Sequence, residues 1–487
     1  MTSENRSPPS VRLSDRERHE ETPDRRAFLR TMALQGVSVP AAYIMLGSDF
    51  SDQSVPEAQA AVKAGHSPKC AMRQVAGAAV DGPYNGLFTR DFTDPYIELI
   101  RLLREASEIE HALMIQYLFA TFSIKPAYES LVGFGDPNSN DLLGVAIQEM
   151  QHLGQVNRLL MELGAAPNLV REDFPYEPDI YPFELNLEPL SRRSVAKYLW
   201  TEAPAGAFDR NSRKTSVDRS FVDQAYEVLG TDTKPNHVGS LYSAVIALLK
   251  EVMSSDFERV TMADDLAPKD LGPWIDRLEQ LKAEGEVGHF EFFKQVFMGT
   301  HPGFNGEPDI WSLPPDAGAY PVMQLPVNPS AYVGHENQIE DPVALSIAWL
   351  GNLHYWIMLS LLNHAYREGE THLLPLSQQH MLGPIWSIAR HLPTLGAGIP
   401  FDPLSMGYAP GRNSFYSLSI IVHLLDEAEK LEQQLADQLP EDYPSSIGRE
   451  TREVAQADLR ALASKPAVPR AGEGDGLGFF LAAPLPL

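Results

Sequence analysis

Cysteine is nearly absent: Cys70 stands alone in 487 residues. One cysteine excludes an intramolecular disulfide and any thiolate cage around zinc or an iron–sulfur cluster. It leaves the redox compartment undetermined, since an exported protein need not carry disulfides. Positive charge is also scarce, with 39 Lys and Arg against 65 Asp and Glu and a formal net charge of -26. So acidic a chain argues against nucleic acid or an anionic membrane as a partner, and a solubilising surface is the ordinary meaning of the excess. Long unbroken apolar runs are missing too. The most apolar stretch, Pro342 to Leu362, is interrupted by Asn352 and His354 and reads as a buried helix, not a stable membrane span. What is left is an ordinary globular composition in a chain long enough for two or three domains.

Residues 1–60 read as an export signal. Asp24 to Arg30, DRRAFLR, resembles the twin-arginine signal, and a modest apolar run from Met32 to Leu46 follows it. Ala58-Gln59-Ala60 offers a small-x-small cleavage site. A surface Arg-Arg pair ahead of an ordinary helix is the alternative. The signal implies a periplasmic or secreted protein, exported already folded. Residues 61–91 then read as a linker, 92–300 as a helical bundle and 301–340 as a Pro/Gly-rich connection. Residues 341–440 read as a helical C-terminal region and 441–487 as a peripheral tail.

Four long helices are expected within 92–300. The stretch from Asp141 to Gly164 places Leu142, Val145, Ala146, Leu153, Val156 and Leu160 on one stripe, with Glu149 and His152 in its middle. An ionisable pair on an apolar face is costly unless compensated, and Glu-x-x-His sets a carboxylate and an imidazole on adjacent turns, where a metal ion is the natural compensation. The helix beginning at Asp94-Pro95 carries Glu110 at the centre of its apolar face, with Glu105 and Glu108 on the far, solvated side. The fourth helix, Leu271 to Phe297, repeats the motif as Glu286 and His289, flanked by Gly285 and Gly288. Glu108 with His111 is a third occurrence, off the apolar face, and roughly one chance hit is expected. The third helix, His237 to Val260, has no carboxylate on its inner face. Tyr242 points inward there and Glu251 outward. Glu202, at the end of a short helix ahead of Pro204, is either a cap or rim charge or a sixth ligand. Residues 205–236 are expected to wander over the surface, and His354, His364, His372, His380 and His391 lack ligand spacing and read as scattered core and surface residues.

A Glu from two helices with Glu-x-x-His from two others is the pattern of ferritin-like di-iron and di-manganese bundles. Glu110, Glu149, His152, Glu286 and His289 supply five of its six positions in chain order; buried ion pairs tying the helices together are the structural alternative. The segments IEHALMIQYLFATFSI, IQEMQHLGQVNRLLMELGAAPNL, LNLEPLSRRSVAKYLWTEAP, VGSLYSAV and EGEVGHFEFF resemble, in order, the ferritin-like domain of the iminophenyl-pyruvate dimer synthase family. That resemblance implies an all-α ferritin-like four-helix bundle with a helical C-terminal extension. It also implies two divalent metal ions, iron or alternatively manganese, and oxidative chemistry on an amino-acid-derived small-molecule substrate. A metal-storing protein or a helical scaffold with a vestigial site is the other expectation, and a homo-oligomer stays open.

Overall fold

The computed structural model describes residues 90–171, 183–208, 216–231, 237–254, 271–404 and 413–464. The expected signal peptide and nearly all of the linker lie outside them, as does the end of the tail. Among the described residues there is no strand, only two isolated bridges, and the fold is all-α.

The first bundle helix, α1 (Pro95–Phe122), starts where Asp94 accepts from the N–H groups of Tyr96 and Ile97 and Pro95 supplies its fixed φ. Helix α2 (Leu142–Glu162) starts where Asp141 accepts from Gly144. Helix α3 (Arg192–Glu202) opens on a reciprocal capping box between Ser191 and Ser194. Helices α4 (Ser216–Leu229) and α5 (Val238–Ser254) follow. Helix α6 (Gly272–Ala283) runs without a break through a π turn (Glu284–His289) into α7 (Phe290–Phe297). The closest pairing is α1 on α2; α5 lies on α1 and α6, and α3 lies on α7.

Two expectations change here. Residues 216–229 are a helix, with Phe221 and Ala225 buried, so this stretch does not merely wander over the surface. Secondly, Glu105 is buried and ion-paired with Arg101. The amphipathic reading of α1 assumed a wet far side, whereas α1 is buried nearly all round and His111 bonds Tyr355 of the C-terminal region at 2.6 Å.

That region is built on α8 (Pro342–Glu368), capped by Asp341 and closed by Gly369 at φ 71°. Helix α8 is long and apolar enough to cross a membrane by length and composition, and 72% of its most apolar window is buried against the rest of the protein. Helices α9 (Leu374–His380) and α10 (Trp386–His391) are joined by a second π turn, Met381–Ile385. Helix α11 (Ser414–Gln434) packs on α8, and α12 (Ser446–Ser464) packs on α11. The stretch from 441 read as a peripheral tail is therefore partly helical, with Gly448, Thr451 and Ala455 buried.

Candidate metal centre

Glu110 of α1, Glu149 and His152 of α2, Glu202 of α3 and His289 of the π turn are all buried and converge between the helices. Their donor atoms form two groups of three, Glu110–Glu149–His152 and Glu149–Glu202–His289, each with its atoms within 4.8 Å of one another. Glu149 belongs to both. Its Oε2 lies 2.9 Å from His152 Nδ1 and its Oε1 lies 3.0 Å from His289 Nδ1. Glu110 Oε2 stands 3.6 Å from His152 Nδ1, and Glu202 Oε1 stands 3.6 Å from His289 Nδ1. The arrangement is close to two-fold: one shared carboxylate, with one imidazole and one further carboxylate on each side.

Both imidazoles present Nδ1 to the centre because their other nitrogen is engaged. His152 Nε2 lies 2.9 Å from Glu284 Oε2, and His289 Nε2 lies 3.1 Å from Gln148 Oε1, which also accepts from Ser139 Oγ at 2.9 Å. Such outer partners set the ring's orientation and tautomer. The outer carboxylates are held likewise. Tyr117 donates to Glu202 Oε1 at 2.6 Å and Tyr242 donates to Glu110 Oε1. Tyr117 is itself wedged edge-on against Tyr198, ring centroids 4.8 Å apart.

Burial raises Glu110 to about 8, helped by the neighbouring Glu149 carboxylate. Burial also opposes ionisation of Glu149, but His152 and His289 outweigh it and hold Glu149 below the usual carboxylate range. Burial works against a charged His289 as well, yet Glu149 and Glu202 lift it to about 9; Glu149, Glu110 and Glu284 carry His152 well above its ordinary value. At neutral pH this donor set therefore keeps positive charge among its carboxylates.

Glu286 lines the same cavity as Glu110, Glu149, His152 and Glu202; it is partly buried, its Oε2 lies 4.0 Å from Lys282 Nζ, and it joins neither group of three. The physical reason is the π turn. An i→i+5 ladder adds a residue to the turn, so Glu286 and His289 do not share the stripe that an α-helical period gives them. Glu251, the other residue weighed as a ligand, is exposed and paired with Arg90 at 3.0 Å. Glu202 sits where the sixth ligand was sought. Glu284 and Gln148 escaped the sequence reading; Gln148 could have been found as the residue beside Glu149, but Glu284 depends on the π turn.

The donors suit divalent ions. They are hard carboxylates with one imidazole per group, and buried Glu110 Oε2 faces the centre with no hydrogen-bond partner among the described residues.

Fold and site define a ferritin-like domain with buried Glu/His clusters compatible with a di-metal centre. Residues 103–296 match the family model described as ferritin-like. A stretch of 132 aligned residues, 22% of this chain, is 35% identical to dichlorochromopyrrolate synthase of Lentzea aerocolonigenes. The match spans 13% of that relative's length. No solved structure matches the chain.

Proposed function

We propose that this protein is an exported di-metal oxidoreductase that uses dioxygen or peroxide to oxidise a small organic, amino-acid-derived substrate. One observation carries the reading: Glu149 faces His152 with one carboxylate oxygen and His289 with the other, joining two groups of three donors. Glu110, Glu149 and His152 would hold one ion, and Glu149, Glu202 and His289 the other. Iron suits this oxygen and nitrogen set, with manganese the alternative. Bound there, the ions supply redox equivalents and a Lewis-acidic place for dioxygen or peroxide.

The chain's own contribution is positional. Tyr117 and Tyr242 keep Glu202 and Glu110 aimed inward, and Gln148 and Glu284 fix the two rings. Packed walls that include Leu113 and Phe293 keep bulk water out, which strengthens every charge interaction inside. The similarity to a synthase supports an enzymatic role, and the DRRAFLR motif supports export through the twin-arginine route.

The test is the metal content of the purified chain, repeated on Glu149→Ala. About two iron or manganese ions per chain are expected in the natural protein and close to none in the variant. A natural chain without bound iron or manganese sinks the reading. Bound iron that consumes neither dioxygen nor peroxide with any reductant or substrate leaves a storage protein or a scaffold.

A further inference from the structure

The centre is almost closed. The cavity that touches it has a volume of ≈10 Å³, room for about one water-sized molecule. Its lining includes the buried Val238 and Gly239 of α5 and the partly exposed Lys282, Gly285 and Glu286 of the α6–π segment. Both glycines of this lining lie against a carboxylate. A Cβ on Gly239 would lie 2.2 Å from Glu286 Oε1, and one on Gly285 would lie 2.8 Å from Glu202 Oε2. Neither glycine has the positive φ that would call for this residue. At both positions a Cβ has room only if the neighbouring carboxylate moves. The space at Gly239 is filled by the Glu286 carboxylate, which is partly buried and, among the described residues, paired with Lys282 at 4.0 Å. An ion pair of that length near solvent restrains a side chain weakly.

Resting on the metal reading above, we propose that Gly239 and Gly285 frame the entrance to the centre and that Glu286, seated on Gly239, is its movable stopper. With Glu286 in place the entrance is narrowed, so that ions enter slowly and an organic substrate reaches the centre only when Glu286 swings out. Glu286 is then a residue that selects by size, whatever bonds it also makes to an ion.

Entry can be timed without turnover. The full chain, stripped of metal, is mixed with cobalt(II), and incorporation is followed by visible absorption in the natural protein, Gly239→Val and Glu286→Ala. Valine at 239 wedges Glu286 and the opening, so uptake should slow by about tenfold, while the final cobalt content stays that of the natural chain. Removing the stopper should speed uptake by a similar factor. A residue that acted only as a ligand would change the amount bound and not the rate of entry. Equal uptake rates in all three proteins overturn the proposal. Should Gly239→Val fail to fold by circular dichroism, Glu286→Ala decides alone, and an unchanged rate there is sufficient to reject it. A natural chain that takes up no metal overturns the metal reading itself, whereas normal uptake at equal rates overturns only the entrance.

Discussion

Both halves of this molecule bury a pair of histidines, and the pairs have opposite surroundings. In the bundle, His152 and His289 face Glu110, Glu149 and Glu202, and each ring is backed by an oxygen acceptor. In the C-terminal region, His354 and His380 face one another, Nδ1 to Nδ1 at 2.9 Å, with both rings fully buried. One arrangement of hydrogens satisfies every member of that second network. Thr451 donates to His380 Nε2 at 3.1 Å, and His380 donates to His354. His354 Nε2 then donates to Tyr443 at 2.8 Å, and Tyr443 donates to Glu432 at 2.6 Å. Burial with the neighbouring His354 pushes His380 well below its ordinary value. In the bundle the carboxylates of Glu110, Glu149, Glu202 and Glu284 surround the two rings, His289 is raised to about 9, and Glu110 Oε2 has no hydrogen-bond partner among the described residues. A buried histidine becomes a candidate ligand where carboxylates outnumber it and atoms are left over; where the network closes on itself, it is a tie between helices.

The contrast can be broken most sharply at Glu202. Replacing it with alanine removes a donor from one group of three and leaves Glu110, Glu149 and His152 intact. Elemental analysis should show about one ion lost per chain and one retained; full retention of both would remove α3 from the centre.

A smaller effect is expected at Gln148. Gln148→Ala frees the His289 ring without removing a ligand, and affinity for metal at that site should fall by about 10- to 100-fold, measured by competition with a chelator. A loss no larger than that from an exposed glutamine elsewhere would show that Gln148 does not orient His289.

The smallest effect on metal should come from the other pair. His380→Leu should leave metal content unchanged and lower unfolding stability by about 1–3 kcal/mol, because Thr451 and His354 lose their partners. His289 and His380 are also shifted in opposite directions. In metal-stripped protein, His289 and Glu110 have folded values above their unfolded ones. They add stability that is present at low pH and is lost as pH rises towards about 9 and about 8 respectively. His380 is depressed, so its contribution is present above the unfolded value and is lost as pH falls below it. Denaturant titrations of stripped natural protein and His380→Leu across pH should therefore show the natural chain's advantage at neutral and alkaline pH and its shrinkage as pH falls; an advantage that grows as pH falls would refute the assignment.

Much of the centre was legible because its donors interrupt apolar stripes. Glu110, Glu149 and His152 sit mid-stripe on regular α-helices, where a period of 3.6 residues reports which side chains face inward. The same logic failed at Glu105, since α8 and its neighbours cover a side of α1 that looks wet in isolation. At Glu286 the ladder is π and not α, and the side chain lines the cavity without joining either group of three. Glu202 stayed ambiguous for another reason: a carboxylate on the last turn of a helix looks like a rim charge until the helix is placed. The histidines at 354 and 380 had no ligand spacing, and they do not join the centre, but their pairing across 26 residues had no local trace.

By itself the sequence determined the class of fold and the kinds of donor available, because helix periodicity, caps and the types of buried ionisable residue are local properties. Only the tertiary structure decided which donors meet. The approach of α3 to the π turn brings Glu202 to His289, and that turn moves Glu286 off the His289 stripe and onto Gly239. Ligand sets are built from long-range distances between helices, and such distances follow from packing rather than from the period of any one segment.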